Sequence, residues 1–142
     1  MKIAFIGLGN MAAAIIKGLR KSGQWSAGDI LGYAPSKRSL PVLEAAGGIS
    51  FCESVHEAAG GADIIVLAVK PQMFGAVLPQ VKAAGLQGKL VVSIAAGKDF
   101  EYFERALGPE VAVVRVMPNI NSKVGASTSA YCLGAKATPE HE

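Results

Sequence analysis

The clearest structural signal in the chain is the stretch "FIGLGNMAAAI", from Phe5 to Ile15. It places Gly7 and Gly9 directly after an apolar run, and Ala12 completes the pattern G-x-G-x-x-A. The first glycine of such a pattern permits a tight turn, and the second lets a ligand approach the backbone. The small third residue lets a helix pack closely against a strand. The stretch therefore predicts a strand, a tight turn and then a helix.

Strand and helix patterns alternate along the rest of the chain. The longest apolar run lies in "ADIIVLAVKP", from Ala62 to Pro71, and its branched residues are typical of a strand buried on both faces. The predicted strands are Lys2–Ile6, Asp29–Ala34, Ile49–Cys52, the run within Ala62–Pro71, Lys89–Ile94, Val111–Met117 and, at an edge, Ser127–Cys132. The predicted helices are Met11–Arg20, Ser36–Ala46, a short one between Ser54 and Gly60, Pro71–Ala84 and Asp99–Leu107. This order predicts an α/β fold, a Rossmann-type doubly wound and mostly parallel sheet with helices on both faces.

The composition narrows the class of protein. The chain has 142 residues, of which 51% are hydrophobic, enough for one core and one domain. Its net charge is only +3 and it lacks runs of Lys and Arg, so we expect no nucleic-acid partner. No apolar run approaches the roughly 18 residues of a spanning helix, which predicts a cytoplasmic protein with no membrane partner. Cys52 and Cys132 form no CxxC pair and have no histidine at metal-ligand spacing, which predicts free thiols and no metal site.

The last residues carry a helix start signal. In "ATPEHE", Thr138 is a predicted N-cap, Pro139 suits the first helical position, and acidic residues follow. We therefore expect residues 1–135 to form the Rossmann-type domain and residues 136–142 to begin a helix that leads to a second domain absent from this chain.

The glycine turn predicts a dinucleotide site because it lies between a strand and a helix. The backbone N–H groups of Asn10, Met11 and Ala12 would face an anion at the start of the helix, where the helix dipole also favours negative charge. A glycine turn that serves only for packing is the alternative interpretation.

The residues at the tip of the second predicted strand favour NADP(H) over NAD(H). An NAD-selective site usually places Asp or Glu about 20 residues after the glycines, to hold the ribose hydroxyls. Here the tip carries Tyr33 and Ala34, whereas Asp29 lies at the beginning of that strand. The following "PSKR", from Pro35 to Arg38, offers a hydroxyl and two cations suited to a 2′-phosphate. NADP(H) is thus the preferred cofactor, NAD(H) is possible, and a solvated helix start is the alternative interpretation of Lys37 and Arg38.

Four motifs in this order resemble one known family. They are "GLGNMA" from Gly7 to Ala12, "AVKPQ" from Ala68 to Gln72, "SIAAG" from Ser93 to Gly97 and "RVMPN" from Arg115 to Asn119. Together they are similar to the amino-terminal domain of pyrroline-5-carboxylate reductase, and the similarity runs across essentially all 142 residues. The resemblance implies reduction of the C=N bond of 1-pyrroline-5-carboxylate to L-proline with NAD(P)H, the last step of proline biosynthesis. It also implies a homo-oligomer, formed by the longer protein through its helical carboxyl-terminal domain.

The resemblance further implies which residues contact the cofactor. The diphosphate would lie against Ile6, Gly7, Leu8, Gly9, Asn10 and Met11, and the adenosine ribose against Ala34, Pro35, Ser36, Lys37 and Arg38. The cofactor would be lined by Ala68, Val69, Lys70 and Pro71, and near the nicotinamide by Ile94, Ala95, Ala96, Gly97, Met117, Pro118 and Asn119. We assign no catalytic residue: Lys70 is interpreted as part of the cofactor wall, because the family places its substrate loop and proposed proton donor in the carboxyl-terminal domain. The 142 residues alone are therefore expected to have little reductase activity.

Two other functions fit the same half-fold. One is the Rossmann domain of a hydroxyacid dehydrogenase, which would usually show a different pattern at the tip of the second strand. The other is a non-catalytic dinucleotide-binding module, for which no second domain would be needed.

Overall fold

The computed structural model describes residues 1–35, 40–45, 47–95, 98–118, 129–134 and 136. Its strands are β1 (Ile3–Ile6), β2 (Ile30–Tyr33), β3 (Ser50–Phe51), β4 (Ile64–Leu67), β5 (Leu90–Ser93), β6 (Ala112–Pro118) and β7 (Ser129–Leu133). Its α-helices are α1 (Asn10–Lys21), α2 (Leu40–Ala45), α3 (Val55–Gly60), α4 (Phe74–Ala83) and α5 (Phe100–Leu107). Single 3₁₀ turns, Ala27–Asp29 and Pro71–Met73, precede β2 and α4. The described residues thus reproduce the predicted alternation of strands and helices.

The strands form one seven-stranded sheet in the order β3-β2-β1-β4-β5-β6-β7. Strand β1 pairs in parallel with both β2 and β4, Ile3 lying opposite Ile30 on one side and Ile64 on the other. The edge strand β7 runs antiparallel to β6. The strand order reverses at β1, so the crevice above the carboxyl ends of β1 and β4 is the place where such sheets bind ligands. The predicted doubly wound, mostly parallel sheet is confirmed.

Two apolar clusters cover opposite faces of the sheet. On one face, helices α3, α4 and α5 pack against the strands around the fully buried Phe74 and Phe103, whose ring centroids lie 5.6 Å apart. On the other face, α1 and α2 contribute Ile16 and Leu43, both with no exposed surface. The prediction of helices on both faces is therefore confirmed.

Side-chain caps position the helices as the sequence indicates. The Ser54 hydroxyl accepts a hydrogen bond from the Glu57 N–H at 3.0 Å, and Ser54 is the N-cap of α3. The Asp99 carboxylate accepts one from the Tyr102 N–H at 2.9 Å and caps α5. Both interactions satisfy amide groups that the first turn of a helix leaves without partners.

Several predicted boundaries differ from the observed ones, and two of these differences have a clear local description. Strand β2 begins at Ile30 rather than Asp29, because Ser26 and Asp29 form a capping box around a 3₁₀ turn. The helix predicted from Pro71 begins as a 3₁₀ turn, and α4 proper starts at Phe74. Pro79 lies inside α4.

Two of the features that the composition predicts to be absent can be checked in the described residues. Within the described ranges, no helix is long and apolar enough to cross a membrane. In the same part of the chain, no group of three or more His, Cys, Asp or Glu side chains could hold a metal ion. Cys52 is a buried free thiol, and burial raises the pKa of its sulfur group.

Candidate functional site

Gly7 makes the first turn of the site possible. Its φ of +102° lies in a region that L side chains rarely adopt, and a Cβ built on it would lie 2.8 Å from the Ala68 carbonyl oxygen. The Gly7 N–H donates to the Tyr33 carbonyl oxygen at 2.8 Å, and the Ala68 N–H donates to the Ile6 carbonyl oxygen at 2.9 Å. The turn after β1 is thus held between the ends of β2 and β4, with no space for a side chain.

Gly9, unlike the crowded Gly7, borders open space. It is the N-cap of α1, it is exposed, and a Cβ built on it would meet no atom within 4 Å. No side chain caps this helix, and no acidic residue lies in its first turn. The N–H groups of the first helical turn, those of Asn10, Met11 and Ala12, have no carbonyl partners within a helix. The open space above Gly9 therefore suits a diphosphate, which needs backbone donors and favours a positive helix end.

The side chains of the glycine turn do not take part in this cradle. Ile6 is fully buried and Leu8 is buried, with a Leu8 methyl carbon 3.1 Å from where a Cβ built on Gly32 would lie. These two predicted site residues can offer a ligand only their backbone. Asn10 is exposed and Met11 is partly buried, so both can also offer a side chain.

The end of β4 forms the wall beside the turn. Ala68 and Val69 are partly buried, Lys70 is exposed, and Pro71 opens the 3₁₀ turn before α4. A Cβ on Gly7 would also lie 3.0 Å from a Val69 methyl carbon. The structure thus brings "GLGNMA" and the first residues of "AVKPQ" into direct contact.

A cleft of about 360 Å³ opens next to this contact. Gly7, Pro35, Ala68, Val69 and Lys70 line it, as the predicted site requires. Its remaining lining residues were not among the predicted site residues: Tyr33, Val55, Met73, Ala76, Val77 and Gln80. Four of these recur at helical spacing from Met73 to Gln80, a pattern that indicates one helix face but does not show that the face meets the end of β4. The cleft has the predominantly apolar lining usual for a ring-shaped ligand.

The tip of β2 borders the cleft without an acidic side chain. Tyr33 ends the strand, Ala34 is partly buried and Pro35 is exposed. The nearest acid along the chain, Asp29, lies before the opposite end of β2. Its carboxylate accepts hydrogen bonds from the Ser26 N–H at 3.0 Å and the Ser26 hydroxyl at 2.7 Å. Asp29 therefore holds the turn before β2 and does not supply a carboxylate at the tip of that strand.

This role of Asp29 has a testable pH dependence. Its hydrogen bonds from Ser26 lower the pKa of the carboxyl group below its ordinary value. A lowered pKa in the folded state stabilises the protein above the unfolded-state pKa, and that stabilisation is lost as the pH falls through the folded-state pKa. We expect Asp29→Asn to lower the midpoint of urea unfolding at pH 7. Between pH 5 and pH 3, that midpoint should fall less in the variant than in the wild type. Glu44→Gln, which changes an exposed carboxylate on α2, is the matched control. An Asp29→Asn variant whose urea midpoint fell with acid as much as that of the wild type would contradict this role.

The same edge also carries four more predicted residues, Ile94, Ala95, Met117 and Pro118. Leu67, Ser93 and Arg115 share one register row, so Ala68 and Ile94 leave the sheet side by side. The Ile94 N–H donates to the Leu67 carbonyl oxygen at 3.2 Å, and Ala95 follows it, partly buried. Met117 and Pro118 end β6. The other predicted site residues lie outside the described residues: Ser36, Lys37, Arg38, Ala96, Gly97 and Asn119.

Comparison with known proteins agrees with this arrangement. Residues 2–97 match the family model described as "NADP oxidoreductase coenzyme F420-dependent". The chain is 42% identical over 139 residues to the pyrroline-5-carboxylate reductase of Escherichia coli K12, an alignment that covers 98% of this chain and 52% of that protein. The chain thus spans about half the length of the curated relatives it matches.

Solved structures show the same likeness. A Plasmodium falciparum pyrroline carboxylate reductase with NADP bound is 32% identical, with a TM-score of 0.87 over 99% of this chain and 51% of that one. A pyrroline-5-carboxylate reductase from Coxiella burnetii is 30% identical, with a TM-score of 0.89 over 98% of this chain and 52% of that one. The resemblance drawn from the four motifs is confirmed, and the chain belongs to the family of the matching model, described as "NADP oxidoreductase coenzyme F420-dependent".

Proposed function

We propose that this chain is the cofactor-binding domain of a reductase that converts 1-pyrroline-5-carboxylate to L-proline with NADPH. The observation that carries the proposal is the cradle at Gly9, where an uncapped helix start without acidic residues faces open space. The relatives named pyrroline-5-carboxylate reductase support the substrate, and the relative with NADP bound supports the cofactor.

The proposed binding mode follows the sheet edge. The diphosphate lies on the N–H groups that begin α1, and the adenosine extends toward the tip of β2 and the cleft lined by Val69, Met73 and Val77. The nicotinamide end extends the other way, over the ends of β4, β5 and β6. The proposed contacts are the 22 predicted site residues, from Ile6 to Asn119, together with the additional lining residues of the cleft.

The cofactor preference is proposed from the tip of β2. Tyr33, Ala34 and Pro35 supply no carboxylate to hold two ribose hydroxyls, and the carboxylate of Asp29 is engaged by Ser26. Lys37 and Arg38 follow in the sequence and would bind a 2′-phosphate by charge-assisted hydrogen bonds. NADPH is therefore proposed as the preferred cofactor, with weaker binding of NADH.

The chemistry is divided between this domain and residues outside it. The reduced cofactor, when bound, supplies the hydride that an imine carbon accepts. The residues of this chain bind the diphosphate, hold the nicotinamide end against the edge of the sheet and shield one side of it from water. Lys70 is proposed as part of the cofactor wall, since its exposed side chain lies beside the cleft rather than in a closed pocket. We propose that the proton and the carboxylate clamp come from a second, helical domain.

Three further features stay predictions. They are the domain boundary near residue 135, the homo-oligomer formed through the helical domain of the longer protein, and the cytoplasmic location.

The cofactor proposal is tested by removing the two cations after Pro35. We expect the double variant Lys37→Ala/Arg38→Ala to bind NADPH roughly thirtyfold more weakly, because two charge-assisted hydrogen bonds to the 2′-phosphate are lost. Its affinity for NADH should change little. Isothermal titration calorimetry with both cofactors measures the two dissociation constants.

The matched control is Lys17→Ala/Lys21→Ala, which removes two exposed cations from α1. It should leave the NADPH preference as in the wild type. Equal weakening of both cofactors in the Lys37→Ala/Arg38→Ala variant would contradict the 2′-phosphate site. A wild-type chain that binds neither cofactor at millimolar concentration would end the proposed function itself.

A further inference from the structure

Gly32 leaves a gap among the side chains of β2. It lies opposite Phe5 of β1 in the register of the sheet, and it is buried. Its φ is not positive, so the backbone at this position would accept any L residue. A Cβ built on Gly32 would lie 2.6 Å from the Ile49 Cδ1 atom and 3.1 Å from a Leu8 methyl carbon. Glycine is therefore needed here for the space that its missing side chain leaves.

Leu8 fills this gap from the glycine turn. Its two methyl carbons lie 3.1 and 3.4 Å from the position of the Cβ built on Gly32. Leu8 is only 4% exposed, and it belongs to the apolar cluster that also holds Phe5 and Ala12. Ile49, directly before β3, packs against the same cluster and also borders the gap. The Leu8 side chain is thus seated on β2, although the residue belongs to the turn after β1.

Leu8 is also the residue between the two glycines of the proposed diphosphate cradle. Gly7 is held by the hydrogen bond from its N–H to the Tyr33 carbonyl oxygen, and Gly9 is the N-cap of α1. Glycine has more conformational freedom than any other residue, so a turn with a glycine on each side of Leu8 depends on contacts to keep one shape. A ligand that meets such a turn already in its binding shape loses less free energy in ordering it. The contact with Gly32 therefore bears on the affinity for an anion.

We propose that Gly32 is a positioning residue for the cofactor diphosphate. The gap that it leaves seats Leu8, and this contact holds the turn from Gly7 to Gly9 in the shape that opens the first N–H groups of α1 to an anion. Gly32 is buried and acts only through Leu8. The inference rests on the proposed function, because it presumes that a dinucleotide binds this turn.

The test fills the gap while avoiding the collision with Ile49. Ile49→Val removes the Cδ1 atom nearest to the new Cβ, so Gly32→Ala in that chain collides chiefly with Leu8. We expect Gly32→Ala/Ile49→Val to bind NADPH and NADH about tenfold more weakly than Ile49→Val does, as measured by titration calorimetry. The ratio of the two affinities should not change, because both cofactors carry the diphosphate. Unchanged affinities, or a loss confined to NADPH, would overturn the proposal.

Leu8→Ala provides a rescue that a merely structural role of Gly32 would not show. By itself it should weaken binding of both cofactors, because the turn loses its seat on β2. It also removes the methyl carbons that collide with the new Cβ. In the Leu8→Ala/Ile49→Val chain, Gly32→Ala should therefore cause no further weakening. The same loss on filling the gap with either residue at position 8 would refute the contact.

Gly61→Ala is the matched control. The φ of Gly61 is −85°, and a Cβ on it would lie 2.9 Å from the Leu31 Cδ1 atom, so the substitution makes a similar collision with a side chain of β2. Gly61 precedes β4, which places this collision at the amino end of the sheet, away from the glycine turn. It should lower the midpoint of urea unfolding and leave both affinities within about twofold of the wild type. If Gly61→Ala weakened binding as much as Gly32→Ala/Ile49→Val does, the positioning role would be refuted.

Urea unfolding of the free chain separates failure of this inference from failure of the proposed function. With no cofactor present, substitutions at positions 8 and 32 should be coupled in their effects on the free energy of unfolding. If the wild type bound neither cofactor, the proposed function and the positioning role would both fall, while this coupling would still show the contact. If Ile49→Val bound NADPH and Gly32→Ala/Ile49→Val bound it equally tightly, only the inference would fall.

Discussion

Gly9→Ala should bind NADPH roughly thirtyfold more weakly than the wild type while folding to nearly the same stability. The added methyl group meets no protein atom within 4 Å and the backbone of Gly9 is extended, so the fold tolerates it. The same methyl group occupies the space through which a diphosphate would approach the N–H groups of α1. Titration calorimetry measures the affinity, and urea unfolding measures the stability.

Gly18→Ala is the matched control for this experiment. Gly18 lies in the same helix, and a Cβ on it also meets no atom within 4 Å. Alanine there should raise stability by about 0.5–1 kcal/mol through helix propensity, without weakening cofactor binding. If Gly9→Ala bound NADPH as tightly as Gly18→Ala does, the cradle at the start of α1 could not be the diphosphate site.

Gly7→Ala should have the largest effect on stability, a loss of roughly 3 kcal/mol or more in the free energy of unfolding. Its φ of +102° would strain any L residue, and its new Cβ would lie 2.8 Å from the Ala68 carbonyl oxygen. Because that oxygen belongs to the backbone beyond β4, the collision can be relieved only by moving β1 away from β4. Urea unfolding followed by circular dichroism measures the loss.

Gly108→Ala is the control that separates the cost of a positive φ from the cost of the Cβ collision at Gly7. Gly108 follows α5 with a φ of +110°, close to that of Gly7, but a Cβ on it meets no atom within 4 Å. This control should lose only the cost of the unfavourable φ, about 1–2 kcal/mol. Equal losses in the two variants would show that contact between the glycine turn and the end of β4 contributes nothing to stability.

The difference between Gly7 and Gly9 was only partly predictable from the sequence. The pattern G-x-G-x-x-A indicates a turn at Gly7 and a ligand at Gly9, because the spacing of small residues is a local property of one strand and one helix. The backbone group that lies against Gly7 comes from a distant part of the chain, so the local pattern does not identify it. The Ala68 carbonyl group belongs to the residue that follows β4, far from Gly7 along the chain, and reaches Gly7 because β4 pairs with β1.

The predicted ends of helices and strands were also only partly correct. Ser54 and Asp99 were recognisable as helix starts because a cap acts within three residues of itself. Asp29 was placed in a strand because its neighbours are apolar, yet its bonds to Ser26 hold it in a turn. There a local hydrogen bond prevailed over the hydrophobic pattern, as short polar side chains do near the ends of elements.

By itself, the sequence determined the class of fold, the glycine turn after β1 and the absence of an acid at the tip of β2, since each depends on residues close together along the chain. Only the tertiary structure decided that α4 lines the cleft beside the end of β4, and that Arg20 reaches the turn at Gly47. Those contacts join elements far apart in sequence. They depend on the order in which strands pair and on how helices pack across them, which no short pattern of residues encodes.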